Sequence, residues 1–155
     1  MLISIENNFD NSEVNELLIK HFIELRSVSP EGSAHVLDIA GLKDPSIKFW
    51  SLWNEKNLMG IGALKFLNKE HGEFKSIRVS DRFKGRGNGS KVINHLIMEA
   101  KKLNIKRLSL ETGAGDFFLN ARKLFNKCGF EPCEPFSHYK KDINSIYMTM
   151  LISNK

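Results

Sequence analysis

Residues Arg82 to Ser90 read Arg-Phe-Lys-Gly-Arg-Gly-Asn-Gly-Ser, and no other stretch of this 155-residue chain constrains its fold as tightly. Three glycines at alternate positions let the backbone take positive φ and approach a ligand without a Cβ in the way. The segment before them, Glu73 to Val79, alternates Phe74, Ser76 and Arg78 with Ile77 and Val79, as a strand does. The segment after them carries Val92, Ile93, Leu96, Ile97, Ala100 and Leu103, which line one face of a helix. A strand, a glycine loop and a helix in that order aim successive N–H groups into one concavity. The helix N-terminus behind them adds roughly half a positive charge. Lys84, Arg86 and Lys91 bring mobile positive charge to the same place. In physical terms this is a phosphate or pyrophosphate cradle, set against the plainer reading of a flexible basic loop. It is not a P-loop, whose Gly-Lys-Ser/Thr order is absent. Nor is it the dinucleotide fingerprint, since the spacing is Gly-x-Gly-x-Gly and follows a run of strands.

The remaining pattern sets the elements around that loop. Leu2–Glu6 alternates as a strand. Val14, Leu17, Leu18, His21, Phe22 and Leu25 make a helical stripe, with Asp10, Asn11 or Ser12 as cap. Ser29-Pro30 predicts a second helix start, running towards Leu37 or Ile39. Lys48–Trp53, Leu58–Leu67 and Glu73–Val79 are predicted strands joined by polar turns. Arg107–Glu111, Phe130–Phe136 and Ile146–Ile152 are the later ones, with a helix around Ala121, Leu124, Phe125 and Cys128 that stops at Gly129. Strands in series with short turns imply an antiparallel meander, and the later strand–helix–strand unit implies a parallel neighbour. The expected fold is therefore α/β in the mixed-sheet sense: about six to seven strands with helices on both faces, in one domain over residues 1–155.

Charge narrows the ligand. The net charge is +5, but residues 65–107 hold 12 basic and 4 acidic side chains, whereas residues 1–64 hold 5 and 9. A basic middle third suits an anionic ligand. No apolar run approaches the ~20 residues that cross a bilayer, and Met-Leu-Ile-Ser-Ile-Glu is not a signal peptide, so no membrane partner and a cytoplasmic location are expected. Cys128 and Cys133 are the only cysteines. They read as reduced thiols without a metal, and neither has an evident cationic partner to make it a nucleophile. Nucleic-acid binding is a weaker alternative, because the aromatics fall at core spacing rather than among the charges.

These segments resemble the GCN5-related N-acetyltransferases, the GNAT superfamily. Its signature, Arg or Gln, two residues, Gly, one residue, then Gly or Ala, fits twice: as Arg82-x-x-Gly85-x-Gly87, or as Lys84-x-x-Gly87-x-Gly89, the register that starts the helix at Gly89-Ser90. Ala121-Arg-Lys-Leu-Phe125-Asn-Lys-Cys-Gly129-Phe130 resembles the family's second motif. Ser29-Pro-Glu, Phe49-Trp50, Gly62-Ala-Leu-Lys65, Ser109-Leu-Glu-Thr-Gly113 and Cys133-Glu-Pro-Phe136 are similar to a subgroup of small bacterial acetyltransferases.

The resemblance implies an acetyl-CoA-dependent N-acetyltransferase that moves the acetyl group directly to a primary amine in a ternary complex. A pantetheine arm would lie between splayed fourth and fifth strands, against the backbone of Ile77 and Val79. The pyrophosphate would rest on Lys84, Gly85, Arg86, Gly87, Asn88, Gly89 and Ser90, with Asn120 nearby. Glu73 and Glu111 are the candidate bases, each also a candidate for an ordinary ion pair. The second motif usually offers a tyrosine as acid; here that position is Phe125, leaving Tyr139, Tyr147 or water. Phe118 replaces an asparagine of the motif. A catalytically silent acyl-CoA sensor is the other reading. Acceptor contacts are expected from Leu25–Leu42, with Ser29, Glu31 and Asp38 as candidates to meet a cationic amine, and from Phe136–Ser145; His35 reads first as a solvent-facing helix residue and only second as part of the acceptor site. Relatives commonly dimerise, which makes a homodimer one expected assembly.

Overall fold

The computed structural model describes residues 1–28 and 38–152. Seven strands form one mixed sheet in the order β1-β2-β3-β4-β5-β7-β6. They are β1 (Leu2–Glu6), β2 (Ile47–Asn54), β3 (Asn57–Phe66), β4 (His71–Val79), β5 (Arg107–Gly113), β6 (Glu131–Cys133) and β7 (Ser145–Leu151). Every neighbouring pair is antiparallel except β4 and β5. The mixed sheet and its meander are as the sequence implied.

Strand alternation divides the interior into two cores, one on each face. Phe49 and Trp53 of β2 and Ile61 and Ala63 of β3 meet Val14, Leu17, Leu18 and Phe22 of α1 (Ser12–Val28) and Leu42 of α2 (Ile39–Leu42). Trp50, Leu52, Leu64 and Phe74 point the other way. They pack with Val92, Ile93 and Leu96 of α3 (Asn88–Lys102) and Phe125 of α4 (Leu119–Lys127). Asn11 is the residue that caps α1, its Oδ1 accepting from the Val14 N–H at 3.1 Å. Close seating of α3 depends on Gly62, where a Cβ would stand 2.4 Å from Leu96 Cδ1.

Two expectations are revised. The strand foreseen over Phe130–Phe136 pairs only from Glu131 to Cys133, since Pro132 and Pro135 each lack an N–H and the strand survives only as an edge. The helix foreseen from Ser29 to Leu37 or Ile39 lies mostly outside the described residues, as do Ser29, Glu31 and His35. The described helix begins at Ile39, capped by Asp38, whose carboxylate accepts from the Gly41 N–H at 2.8 Å.

The parallel junction matters most for function. β4 and β5 pair only through His71–Arg107, Gly72–Leu108 and Glu73–Ser109, and then part. Just beyond, β4 bulges. Lys75 faces Ala63 and Arg78 faces Ile61, so Ser76 and Ile77 together stand opposite Gly62, with Ser76 at φ +54°. Phe74, Ile77 and Val79 keep to the α3 side. Glu73 and Lys75 flank Phe74 and take the opposite face, where Arg78 reaches Glu24 of α1.

Candidate active site

The gap between β4 and β5 opens into a cleft of about 950 Å³. Glu73 lies at its closed end and the glycine loop at its mouth. α1 supplies one wall through His21, Glu24, Leu25 and Val28. The opposite wall comes from β5 and α4, including Glu111, Asn120 and Phe125. Ile77, Val79, Lys84, Gly85, Gly87, Gly89 and Ser90 also line it, so most of the residues singled out from sequence converge here. Arg86 and Asn88 do not face the cleft. Asn88 instead clasps its own loop, its Nδ2 donating to the Phe83 carbonyl at 2.8 Å.

The loop is built as its sequence requires. Gly85, Arg86 and Gly87 take φ of +86°, +55° and +79° in succession. A Cβ on Gly85 or Gly87 would meet nothing within 4 Å, so the space over both is open to a ligand. Gly87 caps α3, which begins at Asn88, one residue earlier than the sequence suggested. Gly89 serves packing: a Cβ there would fall 2.6 Å from Leu124 Cδ2. Lys84 is anchored by Asp81 at 2.9 Å. Hydrogen bonds from Lys20 and Lys84 hold the Asp81 carboxyl well below the usual carboxylate range.

At the closed end stands a compact polar cluster. Glu73 is 1% exposed. Its Oε2 accepts from Tyr139 Oη at 2.6 Å and from Lys75 Nζ at 3.1 Å, while its buried Oε1 has no partner. Lys75 Nζ also lies 3.1 Å from Tyr139 Oη. Burial, and then the Glu73 carboxylate, push the Tyr139 hydroxyl far up, so it stays protonated and donates. Tyr139 thus reaches Glu73 without itself lining the cleft. The ordinary ion pair that was the plainer reading of Glu73 is made, with Lys75 at 3.1 Å. Glu111 accepts from Ser145 Oγ at 2.8 Å, and Arg107 donates to Thr149 at 3.1 Å. Tyr147 is committed elsewhere, donating to the Lys140 carbonyl at 2.8 Å. Phe125 packs edge-on against Phe130 with centroids 5.7 Å apart. Phe118 covers Gly113, where a Cβ would sit 2.1 Å from its ring.

Sequence reasoning missed a second charged group. Arg78 is 9% exposed, donating from Nη1 to Glu24 at 2.6 Å and leaving Nε without a partner. Burial and then Arg78 pull the His21 pKa down to about 4, so its ring is neutral at pH 7. The helical stripe marked His21 as core-facing. Nothing in its spacing showed that α1 lies over the charged face of β4. Lys75 was legible in principle, two residues from Glu73 on one strand and hence on one face.

Both cysteines are free thiols raised by burial. Among the described residues no three His, Cys, Asp or Glu side chains are grouped to hold a metal, and no helix is long and apolar enough to cross a membrane.

A central sheet parted at its single parallel junction, with a glycine loop at the mouth, is the arrangement of an acyltransferase, and comparison with known proteins agrees. The model of the acetyltransferase (GNAT) family matches residues 12–130. The chain is 44% identical over 137 residues to the N-acetyltransferase YsnE of Bacillus subtilis, itself uncharacterised, covering 88% of this chain and 91% of that one. The fold matches a Klebsiella pneumoniae structure, provisionally described as an acyl-CoA N-acyltransferase, with TM-score 0.78, 20% identity and 97% coverage of both chains. It also matches a GNAT acetyltransferase from Elizabethkingia anophelis solved with acetyl-CoA bound, with TM-score 0.66, 17% identity and coverage of 97% and 98%. The protein belongs to the GNAT family and is an acetyltransferase.

Proposed function

We propose that the protein transfers an acetyl group from acetyl-CoA to a primary amine of a small molecule or peptide, by direct attack in a ternary complex. The observation that carries this reading is the gap in the sheet, a strand edge left without a partner beside a fully buried carboxylate. From Phe74 onward β4 has no pairing to β5, and Ile77 and Val79 line the space. An extended ligand with amide groups can add there as another strand would. The open loop at Gly85 and Gly87 suits a pyrophosphate, with the α3 N-terminus and Lys84 complementing its charge. The acetyl-CoA in the Elizabethkingia relative supports the same donor here.

The chain's own residues account for proton movement. An alkyl ammonium with a pKa near ~10.4 must lose a proton before its nitrogen can attack. Glu73 is the better base, with Oε2 saturated by two donors and Oε1 left to take the proton. Glu111, on the facing strand, orients the incoming amine. As the C–N bond forms and the C–S bond breaks, the sulfur leaves as thiolate. A thiol of pKa near ~8.5 needs little acid assistance, which fits Phe125 in the place of the family's usual tyrosine. Tyr139 positions Glu73 rather than protonating the leaving group, since its proton is already engaged with Oε2.

The test has two arms. Thermal unfolding with acetyl-CoA, CoA, ATP and NAD should show a raised midpoint with the two CoA species alone; at a hundredfold excess over Kd the stabilisation is about 2.7 kcal/mol. CoA release across a panel of amines should then fall by roughly 10²–10⁴-fold in Glu73→Gln. No shift with either CoA species would sink the donor assignment. A shift without turnover on any amine would favour an acyl-CoA sensor, the reading that Phe125 keeps alive.

A further inference from the structure

The geometry points to Lys75 as a positioning residue that holds Glu73 in the ionised state from which it takes the amine's proton. This rests on Glu73 being the base. Lys75 follows Glu73 by two residues on the same face of β4, immediately before the bulge. Its side chain is 10% exposed and that of Glu73 2%, so the pair meets almost out of water. Among the described residues, Lys75 is the cation in ion-pair contact with Glu73. The ammonium lies 5.8 Å from the centre of the Tyr139 ring. Phe136 and Tyr147 pack on that ring with centroids 5.2 and 5.6 Å away. The ammonium therefore has little freedom to leave.

A carboxylate removed from water takes up a proton unless a cation or strong donors compensate it. Tyr139 gives one hydrogen bond but no charge. The other ionisable groups around Glu73 make no ion pair with it among the described residues; Arg107, near the start of β5, donates to Thr149 at 3.1 Å. His71 on β4 is pulled down by burial and is neutral at pH 7. Lys65 stands across on β3 without an ion pair to Glu73. Glu111 on β5 adds negative charge near Tyr139. Lys75 is thus the group whose removal leaves a buried charge uncompensated. Because both donors meet Oε2, they set which oxygen is spent on structure and which is kept for the substrate.

The test reads protonation directly and needs no known acceptor. Infrared difference spectra of the whole protein are recorded across a pH titration, and the carboxyl C=O band lost in Glu73→Gln is assigned to Glu73. In Lys75→Met that band should persist to a pH about 1–3 units higher than in the parent. Lys75→Gln, which retains a donor without charge, should behave alike and serves if the first variant folds poorly. Lys75→Arg should restore the parental midpoint. With the best amine from the panel, the acid limb of kcat/KM should move by the same amount. An unmoved infrared midpoint in both neutral variants, with native circular dichroism, overturns the role of Lys75. A moved midpoint with an unmoved limb overturns it by a different route, by showing that Glu73 is not the base.

Discussion

Glu73 and His21 show opposite ways of keeping an ionisable side chain inside a protein. Glu73 is met there by a cation and a hydroxyl; His21 gives its charge up, next to Arg78 on the inner face of α1. The second choice couples stability to pH. His21 has a folded pKa of about 4 against an ordinary 6.5, so between those values the unfolded chain binds the extra proton. Stability should fall as pH drops from about 6.5 towards 4, by at most about 3 kcal/mol, and level off below. Urea titrations at pH 7, 5.5 and 4.5 should lose that component in His21→Gln, while carboxylates titrating at lower pH remain. At this scale the sequence was legible where chemistry follows from position along one element. It named Glu73, Glu111 and the glycines of the loop. It placed Arg78 in a strand and His21 in a helical stripe but did not bring them together, because their contact depends on α1 lying across β4, between residues 57 apart.

Among the elements, the loop and α4 yield the clearest substitutions. Gly87 combines φ +79° with open space above it. Gly87→Asp places a strained backbone and an anion where a pyrophosphate would rest. The acetyl-CoA-induced rise in unfolding midpoint should disappear while circular dichroism stays native; an unchanged rise would remove the loop from the binding site. Phe125 is 9% exposed and holds Phe130 edge-on. Phe125→Ala should cost about 3 kcal/mol in chemical denaturation yet change the acetyl-CoA Kd by less than about tenfold. A large loss of affinity with little loss of stability would assign Phe125 to the ligand. Element identities were readable because α1, α3 and the central strands carry clean periodicity. β6 was overextended because its apolar residues, Phe130 and Phe136, belong to separate packing clusters on either side of two prolines. That distinction is made by tertiary contact and not by local pattern.

At the scale of the whole molecule the sheet is two blades. β1 to β4 form one and β5, β7 and β6 the other, joined by three residue pairs at one end and by the α3 core. Such units open with separate free energies. Amides of β4 beyond Glu73 should exchange with solvent faster than those of β3, and acetyl-CoA should slow Ile77 and Val79 selectively; slowing confined to the glycine loop would mean that the donor does not enter the gap. The meander and one parallel neighbour could be foreseen from the connections, whereas the place of β7 between β5 and β6 could not. Nor could the extent of β4–β5 pairing, which stops at Glu73, short of the bulge at Ser76 and Ile77, with no local pattern to mark the point. That opening also bears on solubility. Open strand edges usually lie at the rim of a sheet, where they invite strands of neighbouring molecules. Here two of them face each other in the interior, available to a narrow ligand and withheld from another protein.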